Sequence, residues 1–210
     1  MHEKIKRLVK SLDDDTRRLA RPGLTLYLVG AEDSPYIKHI RRKAEELGVT
    51  TEMSTRGGSR PTVVDLESVT GGKSSFFVPD RYDIDQVCHE GLSCVAAAAF
   101  EIIDAYEHPH SNVAIIGRGH STQGLSEILK TYDYTPLGPC HRKTQSVERV
   151  TRASDIIVNG ADEPVSCYML GRLIVDISGT IATTAQRITD TCSGAALEPP
   201  KELLKRGARG

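Results

Sequence analysis

Residues 112–129 read NVAIIGRGHSTQGLSEIL. An apolar run, Val113 to Ile116, breaks off into Gly117-Arg118-Gly119 and a polar loop, and a helix-like pattern follows Gly124. Glycine lets a backbone approach a phosphate, and the free N–H groups at a helix start favour an anion. The third glycine stands two residues later than G-x-G-x-x-G spacing requires, so the spacing also suits a βα turn whose glycines serve packing alone. The following strand ends in PCHRKT, residues 139–144. An acid there would bond a ribose 2′-hydroxyl; His141, Arg142 and Lys143 favour a 2′-phosphate instead, with Arg118 as a further donor. NADP is thus expected over NAD, the alternative being a solvated basic loop. His120 is placed to reach the nicotinamide side, or has no role. Ser121 stands in the same loop and reads as a helix cap rather than a nucleophile, because no G-x-S-x-G elbow surrounds it. Asp176, at a strand's carboxyl end, either lines the cofactor crevice or caps the next turn.

These residues need a scaffold, and the chain alternates strand and helix patterns. Residues 2–20 carry Ile5, Leu8, Val9 and Leu12 at helical spacing. Residues 24–30 read as a strand and 35–47 as a helix with Ile37, Ile40, Ala44 and Leu47 on one stripe. Residues 49–54 read as a strand, TVVDLESV (62–69) as a short helix and SSFFV (74–78) as a third strand. An Ala-rich helix is expected over 92–106. Strand 112–117, helix 121–131, strand 134–140, helix 145–152 and strands 154–159 and 172–177 follow. Such alternation implies an α/β fold with parallel sheets covered on both sides. Two lobes are expected: an N-terminal α/β substrate lobe, 1–92, and a C-terminal Rossmann-like NADP-binding lobe, 93–180. The tail, 181–210, would carry a helix near 199–206 that returns to the first lobe.

Composition narrows the classes. The 210 residues are 39% hydrophobic, so a core can be buried, and 27 basic against 28 acidic residues give a net charge of −1. That balance points to neither nucleic acid nor a membrane as partner. No apolar run approaches the roughly 20 residues a span needs, and the N-terminus reads as a charged helix rather than a signal peptide. Five cysteines without framework spacing suggest reduced thiols and a cytoplasmic location. Cys88-His89 and Cys94 lack a second pair at ligand spacing, so no metal is expected.

IIGRGHSTQG followed by CHRKT resembles the methylenetetrahydrofolate dehydrogenase/cyclohydrolase family, which carries a G-R-S-x-x-V-G loop and, one strand later, C-H-S-x-T. LTLYLVGAEDSPYIKHIRRKAEELGV (24–49) resembles that family's strand, V-G turn and S-x-x-Y-V-x-x-K helix. FFVPDRYDID (76–85) resembles Q-L-P-L-P leading to I-D, and SCVAAAAFEII (93–103) resembles P-C-T-P-x-G-x-x-x-L-L. ASDIIVNGADEPV and RLIVDISGT resemble A-D-I-V-x-A-x-G-x-P and V-I-D-V-G-I-N. The matches run in order over most of residues 1–180. The resemblance implies a two-lobed homodimer with NADP on the C-terminal lobe, where Ser178 and Gly179 join the cofactor set, and folate in the cleft. It also implies oxidation of methylenetetrahydrofolate to the methenyl form, followed by hydrolysis.

The departures fall on the chemistry. Tyr36 matches the family's active-site tyrosine, but the catalytic lysine four residues on is Ile40. Lys38 and His39 point about 200° and 100° away from it around the helix. The glutamine that supports that lysine aligns with Phe77. The D-V-D-G segment that holds the pterin reads as deleted between Asp85 and Ser93, and TDTCSGAALEPP (189–200) replaces the P-G-G-V-G-P-x-T run. Tyr36, Ile40, Phe77 and Pro79 are then the expected substrate-binding residues, with Tyr36 as catalytic hydrogen-bond donor or proton relay, or simply part of a core stripe. Without the lysine, water attack loses its charge stabilisation, and no cyclohydrolase activity is expected. Three functions stay open: an NADP-dependent methylenetetrahydrofolate dehydrogenase, the same scaffold acting on another small molecule, with or without redox chemistry, and a non-catalytic nucleotide- or partner-binding protein.

Overall fold

The computed structural model describes residues 3–19, 23–55, 59–66, 68–69, 77–106, 109–141, 143–161 and 173–177. These divide into two compact units, one of residues 10–94 and the other of 3–9 with 95–177. Helix α1, Glu3–Leu19, runs across the division. Both units are α/β with parallel sheets.

In the first unit, β1 (Thr25–Val29) is the central strand, flanked by β2 (Thr50–Met53) and β3 (Thr62–Val64). Helix α2, Pro35–Glu46, makes the crossover from β1 to β2. Ser34 caps it by accepting the Ile37 N–H, and Pro35 follows where a missing N–H costs nothing. Its buried stripe is Ile37, Ile40 and Ala44, the i, i+3, i+7 spacing of one helix face. Gly48 takes φ +74, the left-handed conformation that ends the helix. The expected helix over 62–69 is not there: Thr62, Val63 and Val64 form β3, paired in register with Tyr27, Leu28 and Val29. Three consecutive β-branched residues beside an open strand edge favour the ladder over the helix. In the expected strand over 74–78, residues 74–76 lie outside the described residues, and Phe77 and Val78 are irregular.

In the second unit the strand order is β5-β4-β6-β7: Thr135–Cys140, Asn112–Ile116, Ile156–Asn159 and Leu173–Asp176. Every described residue of β6 and β7 is buried, as expected for strands covered on both faces. Helix α3, Cys94–Tyr106, precedes β4; Ala96 to Ala99, Phe100, Ile102 and Ile103 are all buried. Helices α4, Leu125–Thr131, and α5, Val147–Arg152, make the crossovers. The chain goes from β4 out to β5 on one side and returns to β6 on the other. The loops after β4 and β6 therefore part at a topological switch point, where α/β sheets bind ligands. The expected helix at 199–206 lies outside the described residues.

Candidate functional site

The first unit gathers its reactive groups at the carboxyl ends of β1 and β3. Gly30 closes β1 so tightly that a Cβ there would stand 2.8 Å from Ser68 Oγ and 2.9 Å from Asp65 Cβ. The Ser68 hydroxyl accepts the Ala31 N–H at 2.9 Å, and the Ser34 hydroxyl donates to Asp65 Oδ2. Two residues beyond Ser34, on the first turn of α2, Tyr36 sends its phenol to Asp85 Oδ2 at 3.4 Å. The other oxygen of Asp85 accepts the Cys94 N–H at 2.9 Å, so the carboxylate, 3% exposed, is fixed from two directions.

The turn that delivers Asp85 is built on Asp83. Its carboxylate accepts the Val87 N–H at 3.0 Å and the Cys88 N–H at 2.7 Å, and its backbone carbonyl accepts the Gln86 side-chain amide at 2.8 Å. Burial raises the Asp83 pKa; the two N–H bonds and His89 oppose that shift without cancelling it. Burial, and next the Asp85 charge, push the Tyr36 phenol well above its ordinary value, so it stays a donor at neutral pH. The Cys94 thiol is pushed up by the same two causes and is an inert neutral group there.

Asp83-Ile84-Asp85 has D-x-D spacing, immediately before the stretch from Asp85 to Ser93 where the family's D-V-D-G segment is expected to be deleted. Asp85 contacts the Tyr36 phenol. The spacing was the available signal; burial and the Tyr36 contact appear only in three dimensions.

Ile40 and Phe77, expected to line one substrate pocket, have different surroundings among the described residues. Ile40, 6% exposed, belongs to a core cluster with Leu28, Ile37 and Val63, against which Tyr36, Leu26 and Ile84 pack. Phe77 is 68% exposed and stands edge-on to His89. A buried helix stripe draws Ile40 inward, whereas Phe77 sits exposed on irregular chain. Pro79 opens a 3₁₀ turn, Asp80–Tyr82, its carbonyl accepting the Tyr82 and Asp83 N–H groups. Tyr36 alone of the four stands beside a polar constellation.

The second unit's loops follow β4 and β5. Gly117 takes φ +101, and a Cβ there would meet the Gly160 carbonyl carbon and oxygen at 2.8 Å. Gly119 has open space around its Cα, the nearest atom to a built Cβ being Ser121 Oγ at 4.0 Å. Arg118 is exposed and has no hydrogen bond or ion pair among the described residues. His120 and Ser121 lie in a 3₁₀ turn, His120–Thr122, and Gly124, φ +78, leads into α4. The expected helix from 121 therefore begins at Leu125.

Ile116 and Cys140 are register partners, so the loops after them leave neighbouring strands side by side. The His141 carbonyl accepts the Thr144 N–H at 2.7 Å, and His141 Nδ1 accepts the Lys143 N–H at 3.1 Å. That contact puts the neutral ring's proton on Nε2, facing away from the turn. Lys143 is exposed. Arg142, Ser178 and Gly179 lie outside the described residues. Asp176 is 0% exposed and accepts from Asn159 Nδ2 at 3.0 Å. Glycine room, an unpaired arginine and a basic turn on the adjacent strand fit a phosphorylated dinucleotide.

No family model matches the chain. It is 24% identical over 195 residues to the bifunctional protein FolD of Rickettsia canadensis, an alignment covering 75% of this chain and 67% of that protein. Among solved structures it resembles the bifunctional 5,10-methylenetetrahydrofolate dehydrogenase/cyclohydrolase of Thermoplasma acidophilum, with a TM-score of 0.70, 16% identity and coverage of 100% and 98% of the two chains. The silkworm (Bombyx mori) 5,10-methylenetetrahydrofolate dehydrogenase follows at 0.68, with 14% identity over 98% and 95%. The Trypanosoma brucei dehydrogenase-cyclohydrolase, complexed with NADP cofactor and inhibitor, aligns at 0.65 with 18% identity over 98% and 96%. At these identities the solved structures speak for the fold alone. The chain is similar in sequence to a FolD protein and shares the two-unit α/β fold of the methylenetetrahydrofolate dehydrogenase/cyclohydrolases.

Proposed function

We propose that this protein is an NADP-dependent methylenetetrahydrofolate dehydrogenase that does not hydrolyse its product. The observation that carries the reading is the Tyr36–Asp85 pair standing next to a buried Ile40. Loss of hydride from the bridging methylene turns a neutral centre into a cation. A fixed carboxylate beside it stabilises developing positive charge, and an apolar side chain in the lysine's place does not oppose it. Hydrolysis needs the reverse: help for an attacking water and for negative charge, which Ile40 cannot give. Asp85 also offers an acceptor to a pterin's N–H edge, while Tyr36, held protonated, offers a donor.

In the other unit, Gly117 and Gly119 give backbone room for the pyrophosphate, and Arg118, His141 and Lys143 supply positive or donor groups to the 2′-phosphate. The nicotinamide supplies the hydride acceptor; the chain's residues bind and orient. The Trypanosoma brucei relative's NADP complex supports the cofactor.

The test mixes the purified protein with NADP⁺ and methylenetetrahydrofolate, follows NADPH, and titrates NADPH by calorimetry alongside. Turnover with cofactor binding supports the reading. Tight cofactor binding without turnover rejects folate as substrate and points to another small molecule on the same scaffold. Absence of both rejects the enzyme.

A further inference from the structure

The loop after β4 is held by a residue that neither the family motif nor the dinucleotide pattern singles out. Thr122 is 7% exposed. Its hydroxyl lies 3.1 Å from the Gly117 carbonyl oxygen and 3.2 Å from that of Gly119, and its N–H donates to Gly119 as well. Its methyl fills the space beside Gly160, where a Cβ would stand 2.7 Å from Thr122 Cγ2. One buried side chain thus touches both glycine carbonyls of the loop and the glycine that follows β6.

The consequence follows from peptide geometry. In a trans peptide the N–H points opposite to the C=O. Drawing the Gly117 carbonyl onto the buried hydroxyl turns the Arg118 N–H outward. The backbone N–H groups of Arg118 and Gly119 donate to no partner among the described residues. Two adjacent donors without acceptors among the described residues, next to an exposed arginine side chain and open space at Gly119, can form an anion-binding concavity. Helix α4 does not supply it, because that helix starts at Leu125, after the left-handed Gly124.

We propose that Thr122 is a positioning residue for this loop: its hydroxyl fixes the Gly117 and Gly119 carbonyls inward so that the loop amides face the pyrophosphate of a dinucleotide. This rests on the NADP reading above. Thr122 acts through the backbone and does not read the 2′-phosphate, so it sets affinity for NADPH and NADH alike, whereas Arg118 separates them.

The test compares wild type, Thr122→Val and Thr122→Ser. Each is titrated with NADPH and with NADH by fluorescence, and amide hydrogen exchange is read over residues 117–123 without nucleotide. Valine keeps the methyl and the shape but loses the hydroxyl; serine keeps the hydroxyl. The valine variant should bind both nucleotides about ten-fold more weakly, with their ratio unchanged, and exchange faster over the loop. The serine variant should bind within about two-fold of wild type. Wild-type affinity in the valine variant overturns the proposal, with or without a looser loop, and so does a loss that serine fails to restore. Binding of neither nucleotide by the wild type rejects the cofactor reading and this proposal with it. A wild type that binds, with a valine variant that binds equally, rejects the proposal alone.

Discussion

Tyr36 Oη lies 3.4 Å from Asp85 Oδ2, while the second oxygen of that carboxylate is occupied by the Cys94 N–H at 2.9 Å. The phenol contact is long for an O–H···O bond, whose usual length is about 2.7–2.8 Å. A ligand donor can therefore share Oδ2 without dismantling the turn. The acid is buried and held in place by the Cys94 N–H, with the Tyr36 phenol at longer range.

Asp85→Asn should cut kcat/KM for methylenetetrahydrofolate by about 100-fold, the scale of a lost hydrogen bond to a charged group. NADPH affinity should not change, since Asp85 lies outside the loops assigned to the cofactor. Steady-state kinetics beside a binding titration check this; a parallel loss of NADPH binding would show that the variant disturbs more than the substrate.

Ile40 contributes to stability through burial rather than catalysis. Ile40→Ala should lower the unfolding free energy by about 2–4 kcal/mol, the cost of a large-to-small change in a packed core. Denaturant titration reads it from the midpoint. A change below about 0.5 kcal/mol, the level of an ordinary surface substitution, would mean that Ile40 is not packed as described.

The alkaline stability limb should carry the signature of Cys94 and Tyr36. Both have folded pKa values raised above ordinary, chiefly by burial. An acid whose folded pKa is raised binds its proton more tightly in the native state. Its contribution is complete below the ordinary value, 9.0 for the thiol and 10.0 for the phenol, and is lost as pH climbs above it toward the folded value. Cys94→Ala should make the fall in unfolding free energy above pH 9.0 shallower than in wild type. Equal slopes would contradict a buried neutral thiol.

Arg118→Ala should weaken NADPH about ten-fold while leaving NADH nearly unchanged, because an exposed guanidinium without a partner among the described residues is available to the 2′-phosphate. Equal losses for the two nucleotides would remove Arg118 from that role.

The sequence makes much of this scaffold legible, for reasons that differ by element. Strands β1, β4 and β6 are short apolar runs ended by glycine or by a polar turn, and helix α2 announces itself by Ser34, Pro35 and a stripe that ends at Gly48. Strand β3 is hidden, because Val63, Val64, Leu66 and Val69 also suit a helix face and only pairing with β1 decides between the periods. The acids are the instructive failure. Asp83 and Asp85 look like ordinary solvated residues by type, yet they are 1% and 3% exposed. What buries them is the turn they build, through bonds from Val87, Cys88 and Cys94 that no local pattern displays. Thr122 is similar: a threonine two residues before a glycine suggests a cap, and its contacts with both loop glycines depend on the fold of the whole turn.

The most direct measurement of the central claim follows NADPH and methenyltetrahydrofolate together in one reaction started with NADP⁺ and methylenetetrahydrofolate. The account predicts that the two rise in equal amounts and that the methenyl product then decays no faster than in protein-free buffer. Methenyl decay accelerated in proportion to added protein, or no NADPH at all, would contradict it.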